Sequence, residues 1–169
     1  DHLVLTAADW RPACTVEQGA WLLHPVRPIR RGRREFSFET TFRGGRHKNR
    51  GKYQMTKPLD RAWGYMLGLY LAEGSPTRGY GRKGELNIRG IAWSLDKDEV
   101  ADKEVRLLGV WPERAPSVYR SNSRTRVLVL HCTGLARWIV REFGRGDTKH
   151  VPLWAWDAGT DFCLGLVEG

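Results

Sequence analysis

The chain of 169 residues has little cysteine: Cys14, Cys132 and Cys163 are odd in number, widely spaced and without a CxxC pair. That argues against a disulfide framework or a cysteine zinc site and leads us to expect buried free thiols in a reducing compartment. No run of about 18 apolar residues and no secretory leader pattern is present, so the expectation is a soluble, intracellular (cytoplasmic) protein. Low-complexity sequence is also lacking. A chain of this length can hold one good core, or one plus a fragment of another.

Charge is abundant and unevenly placed. Residues 27–57 carry eleven lysines and arginines against only Glu35 and Glu39, a balance equal to the whole net charge of +9. Phe36, Phe38, Phe42, Tyr53 and several glycines are interleaved with them. The pattern predicts a basic connector that reaches a nucleic-acid backbone, with Arg46 and Lys48 as candidate contacts. The competing reading is a solvated basic linker.

Residues 61–74, RAWGYMLGLYLAEG, hold the strongest local signal. Trp63, Met66, Leu67, Tyr70 and Leu71 form one apolar helical stripe. Gly64, Gly68 and Ala72 form a ridge of small residues. Glycine inside a helix costs about 1 kcal/mol against alanine, and close approach of a second helix is a compensating reason. Glu73 sits on the last turn, where the helix dipole disfavours an acid, so a cation partner is expected.

This stretch resembles the LAGLIDADG dodecapeptide of homing endonucleases. Gly68-Leu69-Tyr70-Leu71-Ala72-Glu73-Gly74 stands where that family has G-L-[IF]-x-[AG]-[DE]-G. Phe162-Cys163-Leu164-Gly165-Leu166-Val167-Glu168-Gly169 looks like a second copy. In the motif register Gly165 and Gly169 correspond to Gly68 and Ala72. Glu168 then matches the variable position of Leu71, and the second acid would follow Gly169. The first residues carry another resemblance. Asp1–Trp10, continuing through Ala13, Val16, Gly19 and Leu22-Leu23 to Pro25, is similar to the N-terminal intein segment H-x-V-x-T-x-x-G-W, with Asp9 and Ala20 departing from its pattern. By that resemblance His2 assists an acyl shift by protonating the departing amide nitrogen; the rival reading is a surface histidine. A β-rich module is expected there, with a turn at 7–9 and a strand at 21–23.

Coarse periodicity places the rest. Residues 75–84 read as turn-rich and 85–95 as a strand. Residues 96–108 read as a helix with Asp96 as N-cap and Ala101, Val105 and Leu108 inward. Residues 117–122 and 124–131 read as a hairpin. Residues 133–143 read as a helix capped by Thr133, with Leu135, Trp138, Ile139 and Phe143 inward. The expected fold class is α+β: an αββαββα LAGLIDADG half-domain over 58–169, including the start of the second dodecapeptide helix, after a partial splicing domain over 1–26 and the basic connector over 27–57.

The resemblance implies a metal-dependent phosphodiester hydrolase acting on long double-stranded DNA sites, with magnesium held by Glu73 and a second carboxylate, bound waters and phosphate oxygens. Lys149-His150-Val151-Pro152 matches a K-x-[IV]-P element of the family, making Lys149 a candidate for stabilising the scissile phosphate; an ordinary loop lysine is the equal alternative. Arg78, Arg82, Lys83 and Arg89 on the first hairpin, and Arg120, Arg124 and Arg126 on the second, are candidate DNA contacts. The implied parent is a bifunctional intein with host-protein exteins, a monomeric pseudo-dimer. The chain itself is expected neither to splice nor to cleave, since Asp1 is not the Cys or Ser nucleophile and the second acid is lacking. Two alternatives stay open: a non-catalytic DNA-binding protein of that fold, acting as a regulator or splicing helper, and a homodimer formed through residues 61–74.

Overall fold

The computed structural model describes residues 3–5, 10–17, 32–43, 50–80, 86–112, 115–120 and 122–169. Two compact units divide the chain, residues 1–30 and 31–169. In the first, β1 (Leu3–Leu5) and β2 (Trp10–Pro12) pair antiparallel, with Leu5 opposite Trp10. The turn and strand expected at 7–9 and 21–23, and His2, lie outside the described residues.

The second unit begins with a long antiparallel hairpin, β3 (Glu35–Arg43) and β4 (Arg50–Pro58). Here the structure departs from the expected connector. Phe36 and Phe38 are buried in the same core as the following helix. Phe36 stacks on Trp138 at 4.0 Å between ring centroids and meets Trp63 edge-on at 4.9 Å. Phe36 and Phe38 therefore form the buried face of a strand, while Tyr53 is 54% exposed. Lys57 lies over the Trp111 ring, 4.8 Å from its centroid, and so covers that core with its stem.

After the hairpin come α1 (Arg61–Glu73), β5 (Gly74–Tyr80), β6 (Leu86–Asp96), α2 (Val100–Val110), β7 (Ser117–Arg120), β8 (Thr125–Leu130), α3 (Thr133–Phe143) and α4 (Thr160–Glu168). The expected sequence of helix, two strands, helix, two strands, helix is present. The sheet order is β5-β6-β8-β7, antiparallel throughout. The alternating residues Ile91, Trp93 and Leu95 of β6, with Leu128 and Leu130 of β8, enter the core shared with α1, α2 and α3. Ala92 and Val129, also buried, fall outside that cluster, on the opposite face.

Local chemistry explains the boundaries. The Asp60 side chain accepts a hydrogen bond from the Trp63 amide at 2.9 Å, capping α1. Residues 75–84, read as a turn, contain strand β5 instead; Pro76 and Gly79 are tolerated because β5 is an edge strand. In α2 the inward positions are Val100, Leu107 and Val110, whereas Val105 is 68% exposed and Ala101 is exposed too. The Asp96 carboxylate accepts from the Asp98 amide at 3.0 Å in a turn, and the helix starts at Val100. The N-cap of α3 is Cys132; Thr133 donates its hydroxyl hydrogen bond to the Arg89 carbonyl instead.

Candidate active site and nucleic-acid interface

The ridge of small residues on α1 is a helix–helix contact. A Cβ built on Gly64 would fall inside 3.0 Å of the Phe162 carbonyl oxygen, and one on Gly68 inside 3.0 Å of the Leu166 carbonyl. Reciprocally, a Cβ on Gly165 would strike the Arg61 carbonyl, and one on Gly169 the Tyr65 carbonyl. Such backbone contact admits only hydrogen at these four positions. The two helices run in the same direction, since later residues of α1 meet later residues of α4. The reciprocity also fixes a register: Gly64 is the counterpart of Gly165, and Gly68 of Gly169. This packing register differs by one helical turn from the motif register, which pairs Gly165 with Gly68. On the α1 ridge it is Gly64 and Gly68 that meet α4 backbone. Glu168 turns back along the pair and forms an ion pair with Arg61. That guanidinium holds the Glu168 carboxyl below the usual carboxylate range and is itself pushed up by it.

Glu73, on the last turn of α1, is exposed. The cation expected beside it is Lys149. Its ammonium donates to the carbonyl oxygens of Tyr70 (2.8 Å), which also accepts from the Gly74 amide, and of Leu71 (3.0 Å), at the helix end where carbonyls run short of backbone donors. Burial holds the Lys149 ammonium below the ordinary lysine range, while the nearby Glu73 carboxylate pushes the other way. Residues far apart in sequence are thus brought together by one loop. The loop starts at Gly144, whose φ of +73° ends α3 and whose missing side chain lets Thr148 approach. Thr148 then locks the turn by hydrogen bonds with the Arg145 backbone. The Tyr70 hydroxyl donates to the Gly144 carbonyl at 2.6 Å, tying the loop to α1. Burial raises the Tyr70 phenol, and the charge of Arg145 opposes that rise. Arg145 is therefore a second cation at this end of α1. Sequence reading passed over it because it lies in a segment read only as a loop. His150 sits beside its own turn, with Nδ1 3.0 Å from the Thr148 carbonyl oxygen.

The candidate DNA contacts separate by position. Arg46, Lys48, Arg82 and Lys83 lie outside the described residues. Strand register sorts the others. Arg78 pairs with Ile88, and Arg126 pairs with Leu95, both partners on the core side. Arg126 folds its guanidinium onto the Asn122 and Thr125 carbonyls. Arg120 stands in register opposite Arg126. Arg124 belongs to the turn that Asn122 closes by accepting from the Arg124 and Thr125 amides. Arg89 sits at the register shift near Thr77 and lies across Gly79, on the face away from the helices. Two-residue alternation and the bulge distribute the described arginines between the two faces and the turns.

Among the described residues no group of three or more His, Cys, Asp or Glu side chains could hold a metal ion. A lone Glu73 suits magnesium only in part, because that ion accepts one or two carboxylates and fills its shell with water and phosphate oxygens. No described helix is long and apolar enough to cross a membrane. Protein-family models, curated proteins and solved structures were compared with the chain, and none matches it.

Proposed function

We propose that the chain is part of an intein-encoded homing endonuclease of the LAGLIDADG type, cutting double-stranded DNA by metal-dependent phosphodiester hydrolysis. One observation carries the reading: the exposed carboxylate of Glu73 ends a helix whose glycines seat a second, parallel copy-like helix, with the Lys149 ammonium fixed beside it. An exposed carboxylate at the end of α1, with an ammonium beside it, can share a divalent cation with a bound phosphate. Lys149 is placed to offset the negative charge that builds on the phosphate as the bond breaks. Arg145 adds a second positive group at the same end. Magnesium, when bound, would supply an activated water; Glu73 is its candidate ligand in this chain.

The test is divalent-ion dependence of duplex binding, read by fluorescence anisotropy with Ca²⁺ in place of Mg²⁺. The expected result is tightening by Ca²⁺ that Glu73→Gln abolishes, and weaker binding with Lys149→Met in the absence of the ion. Equal affinity of wild type and Glu73→Gln at every Ca²⁺ concentration would reject the nuclease reading and leave a metal-independent DNA-binding protein. Cleavage by this chemistry calls for a second carboxylate besides Glu73 to complete the divalent-ion site.

A further inference from the structure

Tyr70 is fully buried on α1, three residues before Glu73, whereas residues 145–148 of the neighbouring loop are all exposed. It meets that loop at both ends. Where the loop begins, the Tyr70 hydroxyl donates to the Gly144 carbonyl at 2.6 Å. Where the loop ends, the Lys149 ammonium lies over the Tyr70 ring, 5.1 Å from its centroid, and donates to the Tyr70 carbonyl at 2.8 Å. The Leu71 carbonyl takes a second ammonium proton at 3.0 Å. An ammonium has three donors, so one is left for an anion. The loop is also tied to itself. The His150 amide donates to the Phe143 carbonyl at 2.9 Å, and the Thr148 amide to the Arg145 carbonyl at 3.0 Å. It therefore follows its anchors as a unit. The dodecapeptide motif has Ile or Phe at the position of Tyr70, and neither carries a hydroxyl, so the tie to Gly144 is a feature of this chain.

Resting on the nuclease reading above, we infer that Tyr70 is a positioning residue: it anchors the 144–149 loop to α1 and so fixes the Lys149 ammonium beside Glu73 for contact with a phosphate. Carboxylate and ammonium are then both referenced to one helix, so their separation is set before any ligand arrives. A lysine on an exposed loop samples many rotamers, and holding it in advance lowers the ordering cost of binding. The ring and the carbonyl hold only the lysine end of the loop; the hydroxyl supplies the second point that stops the loop from swinging. Being buried, Tyr70 acts on the phosphate only through Lys149.

The experiment is a double-mutant cycle on the full 169-residue chain, with Tyr70→Phe, Lys149→Met and both changes together. Tyr70→Phe keeps the ring and removes only the hydroxyl, so it is expected to fold as the wild type does. Duplex binding is read by fluorescence anisotropy without divalent ions. Tyr70→Phe is expected to weaken it by about threefold. The double variant is expected to bind no more weakly than Lys149→Met alone. A double-variant loss equal to the product of the two single losses would overturn the inference, because Tyr70 would then act independently of the lysine. A second readout needs no DNA: nitrogen–proton correlation spectra of the lysine ammonium groups. The Lys149 signal, assigned by its absence in Lys149→Met, is expected to be sharp in the wild type, where two of its protons are hydrogen-bonded. Faster exchange with water is expected to broaden it in Tyr70→Phe. No sharp Lys149 signal in the wild type, or an unchanged one in Tyr70→Phe, would overturn the inference, while a Glu73-dependent Ca²⁺ response would keep the nuclease reading. Loss of that Ca²⁺ response would overturn the nuclease reading and the phosphate role of the anchored lysine with it, whatever the Lys149 signal.

Discussion

Replacing Gly64 by alanine sets two effects against each other. Alanine gains about 1 kcal/mol over glycine from helix propensity. Its methyl would fall inside 3.0 Å of the Phe162 carbonyl oxygen and at 3.0 Å from the Leu166 amide nitrogen. Both atoms are backbone, so no rotamer change relieves the overlap. The helices must separate by something on the order of 1 Å to restore ordinary contact distances. Overpacking of this kind costs about 1–3 kcal/mol, and separation also loosens the reciprocal seats of Gly165 and Gly169 on α1, which places the net effect at about 1–2 kcal/mol of destabilisation. With a urea dependence of about 2 kcal/mol per molar, the unfolding midpoint falls by about 0.5–1 M. Gly109 is the control, because it lies in α2, is exposed, and a Cβ there meets nothing within 4 Å. Gly109→Ala is expected to raise the midpoint by about 0.5 M through propensity alone. Tryptophan fluorescence reports both, the chain having eight tryptophans. A Gly64→Ala protein as stable as Gly109→Ala would refute the helix contact described above.

Phe36→Ala should cost about 3–5 kcal/mol, because the ring is 1% exposed and stacked on Trp138; a midpoint unchanged in urea would mean that the β3–β4 hairpin is a free arm after all. Lys149→Met should cost about 1 kcal/mol at neutral pH by removing the ammonium donated to the Leu71 carbonyl and the second donor to the Tyr70 carbonyl, which keeps the Gly74 amide. The same variant has a pH signature. The folded Lys149 is held below 10.5, so between its folded value and 10.5 the unfolded chain binds more protons, and wild-type stability rises with pH there; this contribution should vanish in Lys149→Met when denaturation is followed from pH 8 to 11. Burial pushes the Cys163 thiol above 9.0, so the unfolded chain ionises first and that residue's contribution to stability is lost as pH rises through the folded value; Cys163→Ser should remove this loss, and an identical alkaline profile would refute the assignment.

Readings that depended on one element's own periodicity and those that depended on pairing fared differently. Leu135, Trp138, Ile139 and Phe143 form an unambiguous helical stripe, and all four are buried in α3. The β7–β8 hairpin and the order of helices α1, α2 and α3 were likewise legible, because turns and apolar spacing are local signals. In α2 the same logic failed: two apolar sets overlap, and packing against α1 and β8 selected Leu107 over Val105. Strand β5 was hidden by Pro76 and Gly79, residues an edge position accepts. The hairpin of 35–58 was hidden by its charge, since the residues that bury it are only every second one. Glu73 and Lys149 were each visible as motif residues, but nothing local announces that Gly144 reverses the chain to bring them together. The facing of the arginines could not be read at all, because it turns on a bulge that only the paired strand defines.

The one-turn difference between the two registers has a steric origin. Sliding α4 forward by one turn, about 5.4 Å, would set Gly165 against Gly68 and Gly169 against Ala72. The first exchange is neutral, glycine for glycine. The second brings the Ala72 methyl to a level where, at Gly68, even a Cβ would fall inside 3.0 Å of the partner backbone. The glycine-on-glycine register avoids that overlap. The spacing of two glycines, four residues apart on each helix, therefore decides how this part of the core closes, and the ammonium beside Glu73 comes from the separate 144–149 loop.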